Sequence, residues 1–584
     1  MMTATVRGAP GGPGGSPAGL ASRTVSGLWR RQLDHYPDTG PRMIYLGIVV
    51  VATIVLYYEF YVAGAVSPSI IAGYHMSFSY YVYIIVVGNA VGAFGSLAAG
   101  LADRWGRANL VAYGLLVAGL LVLFGIPNAP TKLAFGILFA AVAVVEGVIL
   151  VATPALVRDF SPQLGRASAM GFWTLGPVVG SLVVAVVSSN TLSHLHAWQD
   201  QFIICGIAGV AVAAIAIAGL RELSPGLRDQ LMVSMRDRAL VEARAKGIDI
   251  EEGLRHPWRQ MARADIIGSA FAISIFLITY YTAVGFFTVY FTTLFGFSLA
   301  RANSIGNWFW AFDAGALIVA GVISDIVKVR KPFMVIGAAG SIAMTIYFST
   351  LANNPHTGYY TFVWVVSLLA VFLAIAYAPW MASFTETVER RNPALTATGL
   401  AVWGWIIRAV IALSILVLPF VVTSMTPLVT YGGQVQALST RYAPELATLK
   451  AIDPATLATL SAHPRNAAAA ARAVGEIARA QGVSPAAAAR KLAAVATVPK
   501  ADLAFLQAHG AQVQKAAQAT PGQWQDWWWV CVGGEVVFIP LIFLMAGRWD
   551  PRRARKDADE HERLVQQELA ALRAGPAPGA PGGA

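Results

Sequence analysis

The chain has 584 residues, 56% of them hydrophobic and only 12% charged, with a formal net charge of +11. Soluble globular proteins run at about 45–50% apolar and about 25% charged, so this chain has too little polar surface to cover a soluble fold. That excludes a soluble enzyme, a nucleic-acid-binding domain and a disordered scaffold, and leaves a protein that crosses a membrane many times.

Residues 1–42 form a polar tail rich in Gly and Pro. No apolar h-region precedes the first long apolar stretch, so no cleavable signal peptide is expected. A crossing helix needs about 20 mostly apolar residues. Helices are favoured because each satisfies its own backbone in hydrocarbon. Six such segments lie near 43–66, 80–101, 109–126, 132–157, 169–189 and 200–221 and predict an N-terminal bundle over 43–221. A basic stretch, 222–266, connects it to five more near 267–295, 303–325, 332–352, 359–384 and 395–424, which predict a second bundle over 267–425. Residues 426–525 then interrupt the pattern with Ala-rich runs such as RNAAAAARAVGEIARA. Ala is the best helix former, so short helices are expected there. Trp527, Trp528 and Trp529 mark a membrane interface where span 12 begins (526–547), and 548–584 is a tail.

Lys and Arg fix the orientation. The short loops on one side hold only Lys132 and Arg301, whereas the tails and the 222–266 connector are basic. Both termini are therefore expected in the cytoplasm, with 426–525 outside. The positive charge is a topology signal. The Ala- and Arg-rich composition hints at a bacterial cytoplasmic membrane. Cys205 and Cys531 fall inside spans, no Cys/His metal spacing occurs, and no phosphate-binding Gly-rich Lys-Ser/Thr loop is present. No cofactor, metal, nucleic-acid partner or enzymatic activity is expected.

Ionisable groups inside spans are costly and usually functional. Glu59 (span 1), Glu146 (span 4), Asp313 (span 8) and Arg408 (span 11) fall near mid-depth, and Glu535 lies in span 12. A carboxyl in an apolar site can load and release a proton near neutral pH. Arg408 cannot shed its proton. It needs a carboxylate partner, Asp313 among the candidates, or an anionic ligand.

The two six-span halves repeat. Gly100-Leu-Ala-Asp103-Arg104-Trp-Gly106-Arg107 follows span 2, and Gly321-Val-Ile-Ser-Asp325, continuing to Arg330, follows span 8. Gly171-x4-Gly176 in span 5 aligns with Gly399-x4-Gly404 in span 11. Parallel repeats of this kind build transporters. With LADRWGR after span 2 and the span 5 run Gly176-Pro177-Val-Val-Gly180, the chain resembles the major facilitator superfamily over 43–425 and 527–547. Two departures stand out. The loop signature's first Gly falls on Ala99, and a frequent span 4 Arg falls on Ala143.

The resemblance implies twelve transmembrane helices in two pseudo-symmetric six-helix bundles, with a small helical outer insert, working as a monomer by rocking alternating access. It implies a latch in which Asp103 meets the positive end of span 11. Arg104 and Arg107 would reach toward Glu386 or Glu389, Gly106 would form the turn, Asp325–Arg330 would be the weaker symmetric latch, and Arg390 would stand nearby. Gly176, Pro177 and Gly180 match the span 5 signature of proton-coupled antiporters, and equally suit close helix packing. Spans 1, 7, 10 and 11 would line the cavity and present Tyr57, Tyr61, Tyr280, Tyr281, Trp380, Trp403 and Trp405. Glu59 sits in a Tyr-Glu-Phe run like that of certain multidrug/proton antiporters. The expected function is proton-coupled uptake of a small organic acid or other metabolite. The alternatives are proton-driven drug efflux, or a non-transporting receptor acting through the 426–525 insert, which also offers a surface for a protein partner.

Overall fold

The computed structural model describes residue 29, residues 31–96, 105–160, 166–224, 227, 257–391, 396–463 and 465–574. Eleven helices among them are long and apolar enough to cross a membrane, and Arg166–Thr191 occupies the place of span 5. Among the described residues the architecture is all-α apart from one two-residue parallel strand pair, Gln32–Leu33 with Glu222–Leu223. Spans 1 to 6 are Thr39–Ala65, Phe78–Ser96, Arg107–Leu120 (prolonged to Asn128), Lys132–Phe160, Arg166–Thr191 and Trp198–Gly219. Span 7 is broken at Leu277 into Ala264–Phe276 and Ile278–Phe295. Spans 8 to 11 are Leu299–Val327, Lys331–Leu351, Tyr359–Arg391 and Thr396–Val421.

Small residues set how closely the helices approach. A Cβ on Gly180 would lie 2.6 Å from Tyr57 Cβ, and one on Gly176 would lie 2.7 Å from Thr53 Cγ2. Span 5 therefore packs on span 1 through its glycine face, the use small residues find in membranes. Gly180→Val is expected to destabilise the protein by about 1–3 kcal/mol through overpacking, read as a lower melting temperature of the purified protein.

The halves meet firmly at the end that carries the 426–525 insert. Asn303 Nδ2 donates to the Ala65 carbonyl at 3.0 Å, and Asn307 Nδ2 donates to Ser189 Oγ at 3.0 Å. Gly64 packs against the Val284 backbone, and Phe78 meets Phe286 edge-on at 5.7 Å.

The opposite end of the N-terminal half is closed by its flanking segments. Arg31 is buried and donates to Ala216 O (3.1 Å) and to Tyr113 OH (3.2 Å). Burial pulls its pKa below the ordinary arginine value. Glu222 Oε2 accepts from the backbone N–H groups of Arg107 (2.6 Å) and Ala108 (3.3 Å), placing a carboxylate on the positive end of span 3. The first residues assigned by sequence to the connector thus belong structurally to the first bundle.

The insert is helical and has a small core of its own, formed by Ile452, Ala473, Ile477 and Ala488. Asp453, Asn466 and Ser484 cap successive short helices with their side chains. Its last helix does not stop at the membrane. Lys500–Leu541 runs through the sequence boundary at 525/526 as one 42-residue helix and becomes span 12.

Candidate functional site

A polar cluster lies between the halves. By helical rise, Asp313 sits about 15 Å deeper along span 8 than the Asn303 seal. Tyr57, on span 1, lies in electrostatic range of Glu146 (span 4), Arg408 (span 11), Tyr281 (span 7) and Tyr377 (span 10). Tyr61, one turn on, neighbours Tyr280, Tyr281 and Glu146. Tyr280 faces Asp313, Tyr281 and Tyr377, and packs edge-on against Trp310 at 5.0 Å. A small cavity toward the insert end continues the cluster, lined by Tyr61, Ser181, Thr288, Asn303 and Trp310 among others. The spans of both halves thus bring together Glu146, Asp313, Arg408, Tyr57, Tyr61, Tyr280 and Tyr281.

Arg408 is half-buried. Its Nη1 lies 3.1 Å from where a Gly92 Cβ would stand, and the Ala143 carbonyl lies 2.9 Å from the same point. The missing side chain at Gly92 on span 2 gives the guanidinium its room beside the Ala143 backbone of span 4. Glu146 is the carboxylate in its electrostatic range, yet among the described residues Arg408 has no ion pair within 4.0 Å. Asp313 does not pair with it. Glu146 Oε2 and Asp313 Oδ2 are buried without a hydrogen-bond partner among the described residues.

Other candidates stand elsewhere. Glu59 is 1% exposed and turned away from the cluster. Its carboxyl fills the space over Gly119 of span 3 and Gly209 of span 6, where a Cβ on Gly209 would collide with Oε1. Neither of its oxygens has a hydrogen-bond partner among the described residues. Trp380 is fully buried in helix packing, with Nε1 donating to Ser269 Oγ at 3.2 Å and its ring 5.5 Å from Trp403. Trp405 is 61% exposed on the outer surface of span 11. Tyr377 joins the cluster unanticipated. Its sequence signal is its place one turn before Trp380 on span 10.

The loop residues divide by half. Asp103 and Arg104 lie outside the described residues. Arg107 pairs with Asp159 at 2.7 Å, at the end of span 4, and not with Glu386. Gly106 has φ +88°, and a side chain there would strike Glu222. Arg330 pairs with Asp325 (2.7 Å) and Glu386 (3.1 Å) and donates to Ser324 Oγ (2.7 Å). Glu386 is thus held within its own half. Arg390 is exposed, and its neighbour Arg391 pairs with Asp265 at 2.9 Å, joining spans 10 and 7.

Comparison with known proteins places this architecture. The family model of the Major Facilitator Superfamily matches residues 49–413. The MFS transporter asaE of Aspergillus flavus is 30% identical over 151 residues, 24% of this chain and 33% of that protein, so the chain spans about a third of that relative's length. Among solved structures, a bacterial homolog of the human lysosomal transporter Spinster, inward-facing and occupied, aligns with a TM-score of 0.53 at 16% identity over 87% of this chain and 97% of its own. A D-xylose–proton symporter aligns at 0.50 with 15% identity over 64% and 89%. The family match covers most of the chain, and two six-span halves enclose a polar cluster: the protein belongs to the major facilitator superfamily and is a multi-pass membrane transporter, not an enzyme.

Proposed function

We propose that this transporter takes up a small organic acid together with protons, holding the substrate carboxylate on Arg408. The observation that carries this reading is the Arg408 guanidinium, set among tyrosines between the halves with no ion pair among the described residues. A fixed cation that is half-buried between helices is favoured by an anion beside it. The planar fork of Arg suits a carboxylate bidentately, and tyrosine hydroxyls supply further donors.

Glu146 supplies the coupling. Ionised, it competes with the substrate for the charge of Arg408; protonated, it releases that charge. Proton binding and substrate binding then favour each other, and the coupling is reciprocal. Arg408 reaches the place beside Ala143, the position at which many proton-coupled relatives carry a span 4 Arg. Asp313, between Tyr280 and Tyr377, is the second proton-carrying carboxyl. The Asp325–Arg330–Glu386 network steadies the cytoplasmic end of the second half. The protein works as a monomer in a bacterial cytoplasmic membrane, with both termini inside.

The test is thermal unfolding of the purified protein against a panel of small carboxylates and lipophilic cations at two pH values. A ligand at about 100 times its Kd stabilises the folded state by about 2.7 kcal/mol. Carboxylates are expected to raise the melting temperature, more strongly at the lower pH, and Glu146→Gln is expected to remove that pH dependence. Stabilisation by lipophilic cations with silence from every carboxylate would replace this reading with drug efflux.

A further inference from the structure

The C-terminal half holds a buried acid that the central cluster does not use. Glu535, on span 12, is 0% exposed. Its Oε1 accepts from Thr279 Oγ1 of span 7 at 2.8 Å and from Thr345 Oγ1 of span 9 at 3.0 Å. Ser341, one turn before Thr345, is also within hydrogen-bonding reach of the carboxyl. Ser341 sends its own proton to Ala338 O at 3.0 Å. Among the described residues Glu535 Oε2 has no hydrogen-bond partner, and no basic side chain lies in electrostatic range of the carboxyl.

The two halves build this junction differently. Trp198-x3-Phe202-x2-Cys205-x3-Gly209 on span 6 repeats as Trp524-x3-Trp528-x2-Cys531-x3-Glu535 on span 12. In the N-terminal half the carboxyl comes from span 1 and lies over bare glycines, so it offers one acid and no hydroxyl oxygens. In the C-terminal half the acid comes from the peripheral helix and is met by three hydroxyls. A hydroxyl donates once and keeps two acceptor lone pairs, so three hydroxyl oxygens with lone pairs to spare surround a carboxyl whose Oε2 has no partner among the described residues. A proton on Oε2 would engage only one of these oxygens, whereas a small hard cation takes several oxygen ligands of this kind at once. One carboxylate balances one positive charge, and a divalent ion would leave excess charge buried in hydrocarbon.

We propose that Glu535, Thr279, Thr345 and Ser341 form a sodium-ion site at the junction of spans 7, 9 and 12, separate from the central cluster. A polar seam leads to it from the insert end. Trp527 Nε1 donates to Thr282 Oγ1 at 3.1 Å, and Cys531 touches Thr282 and Thr279 above the carboxyl. The ion ties the peripheral spans 9 and 12 to span 7, the broken helix of this half.

The test is thermal unfolding of the full-length purified protein in NaCl against choline chloride at matched ionic strength, without added substrate. The melting temperature of wild type is expected to rise saturably with sodium. Glu535→Gln and, independently, Thr345→Val are expected to lose the sodium response; the second variant keeps the volume should the first fail to fold. A wild type indifferent to sodium overturns the proposal, as does an equal response in Thr345→Val. A melting temperature that follows pH alone, identically in both salts, overturns it in favour of a simple protonated acid.

Discussion

Arg408→Ala is expected to abolish binding and transport of a carboxylate substrate in a protein that still folds. The guanidinium has no ion pair within 4.0 Å among the described residues, so its removal breaks no salt bridge, and Glu146 loses the one cation that the structure places in its electrostatic range. The substrate loses its charge partner. Truncating one member of a buried charge pair costs about 2–5 kcal/mol, roughly 30- to 4000-fold in affinity at about 1.4 kcal/mol per decade. Arg408→Lys restores charge without the bidentate fork and is expected to recover a minor part of the affinity. Uptake into proteoliposomes and ligand-induced melting shifts read both effects. Carboxylate-induced stabilisation persisting in Arg408→Ala would mean that the substrate lies elsewhere.

Gly209→Leu is expected to be the most damaging single change in the N-terminal half. A side chain at Gly209 enters space already held by the Glu59 carboxyl, and Gly119 closes the far wall. Overpacking alone costs about 1–3 kcal/mol, and displacing the acid without a partner adds to it, so a total beyond about 4 kcal/mol is expected, in the range reserved for a broken core feature. Residues that share one space are not additive. Glu59→Ala should therefore rescue Gly209→Ala, the smaller form of the same lesion. Survival of the variants at fixed temperature in detergent is the suitable measurement. Equal damage from Gly209→Ala with and without Glu59 would show that the carboxyl does not occupy that space.

Glu59 also shows what sequence reading could reach. Counting residues along a span gives depth well, and that was enough to place Glu146, Asp313 and Arg408 at the height of the cluster. It gives no direction around the helix axis. Tyr57 and Tyr61 are one turn apart and share a face, while Glu59, two residues from each at about 100° per residue, must point away. The helical period alone thus separates the acid from its tyrosine neighbours. Apolar length made the twelve spans legible because hydrocarbon leaves the backbone no other solution. Long-range pairings were not legible. The capture of Glu222 by the start of span 3, the Arg107–Asp159 pair and the seat of Arg408 beside Gly92 each depend on segments distant in sequence. The unbroken passage from insert into span 12 was hidden because the tryptophans set the sequence boundary, and Pro521 lies inside the helix that runs through it.

That passage makes the insert a mechanical pointer. Trp527 and Trp528, expected at a membrane interface, are buried in helix packing; from Trp527 back to Lys500 the helix runs about 40 Å, and it is rooted in the C-terminal half. A tilt of that half by roughly 10° would sweep the far end through about 7 Å at this length, with Pro521 as the compliant point where one backbone hydrogen bond is missing. The base of the insert, Leu428–Gly432, meanwhile rests on Ser67–Gly73 of the other half. Distances between a probe on the insert and one near Ser67 would therefore magnify the rocking of the bundle, and a binder gripping both would hold the transporter still.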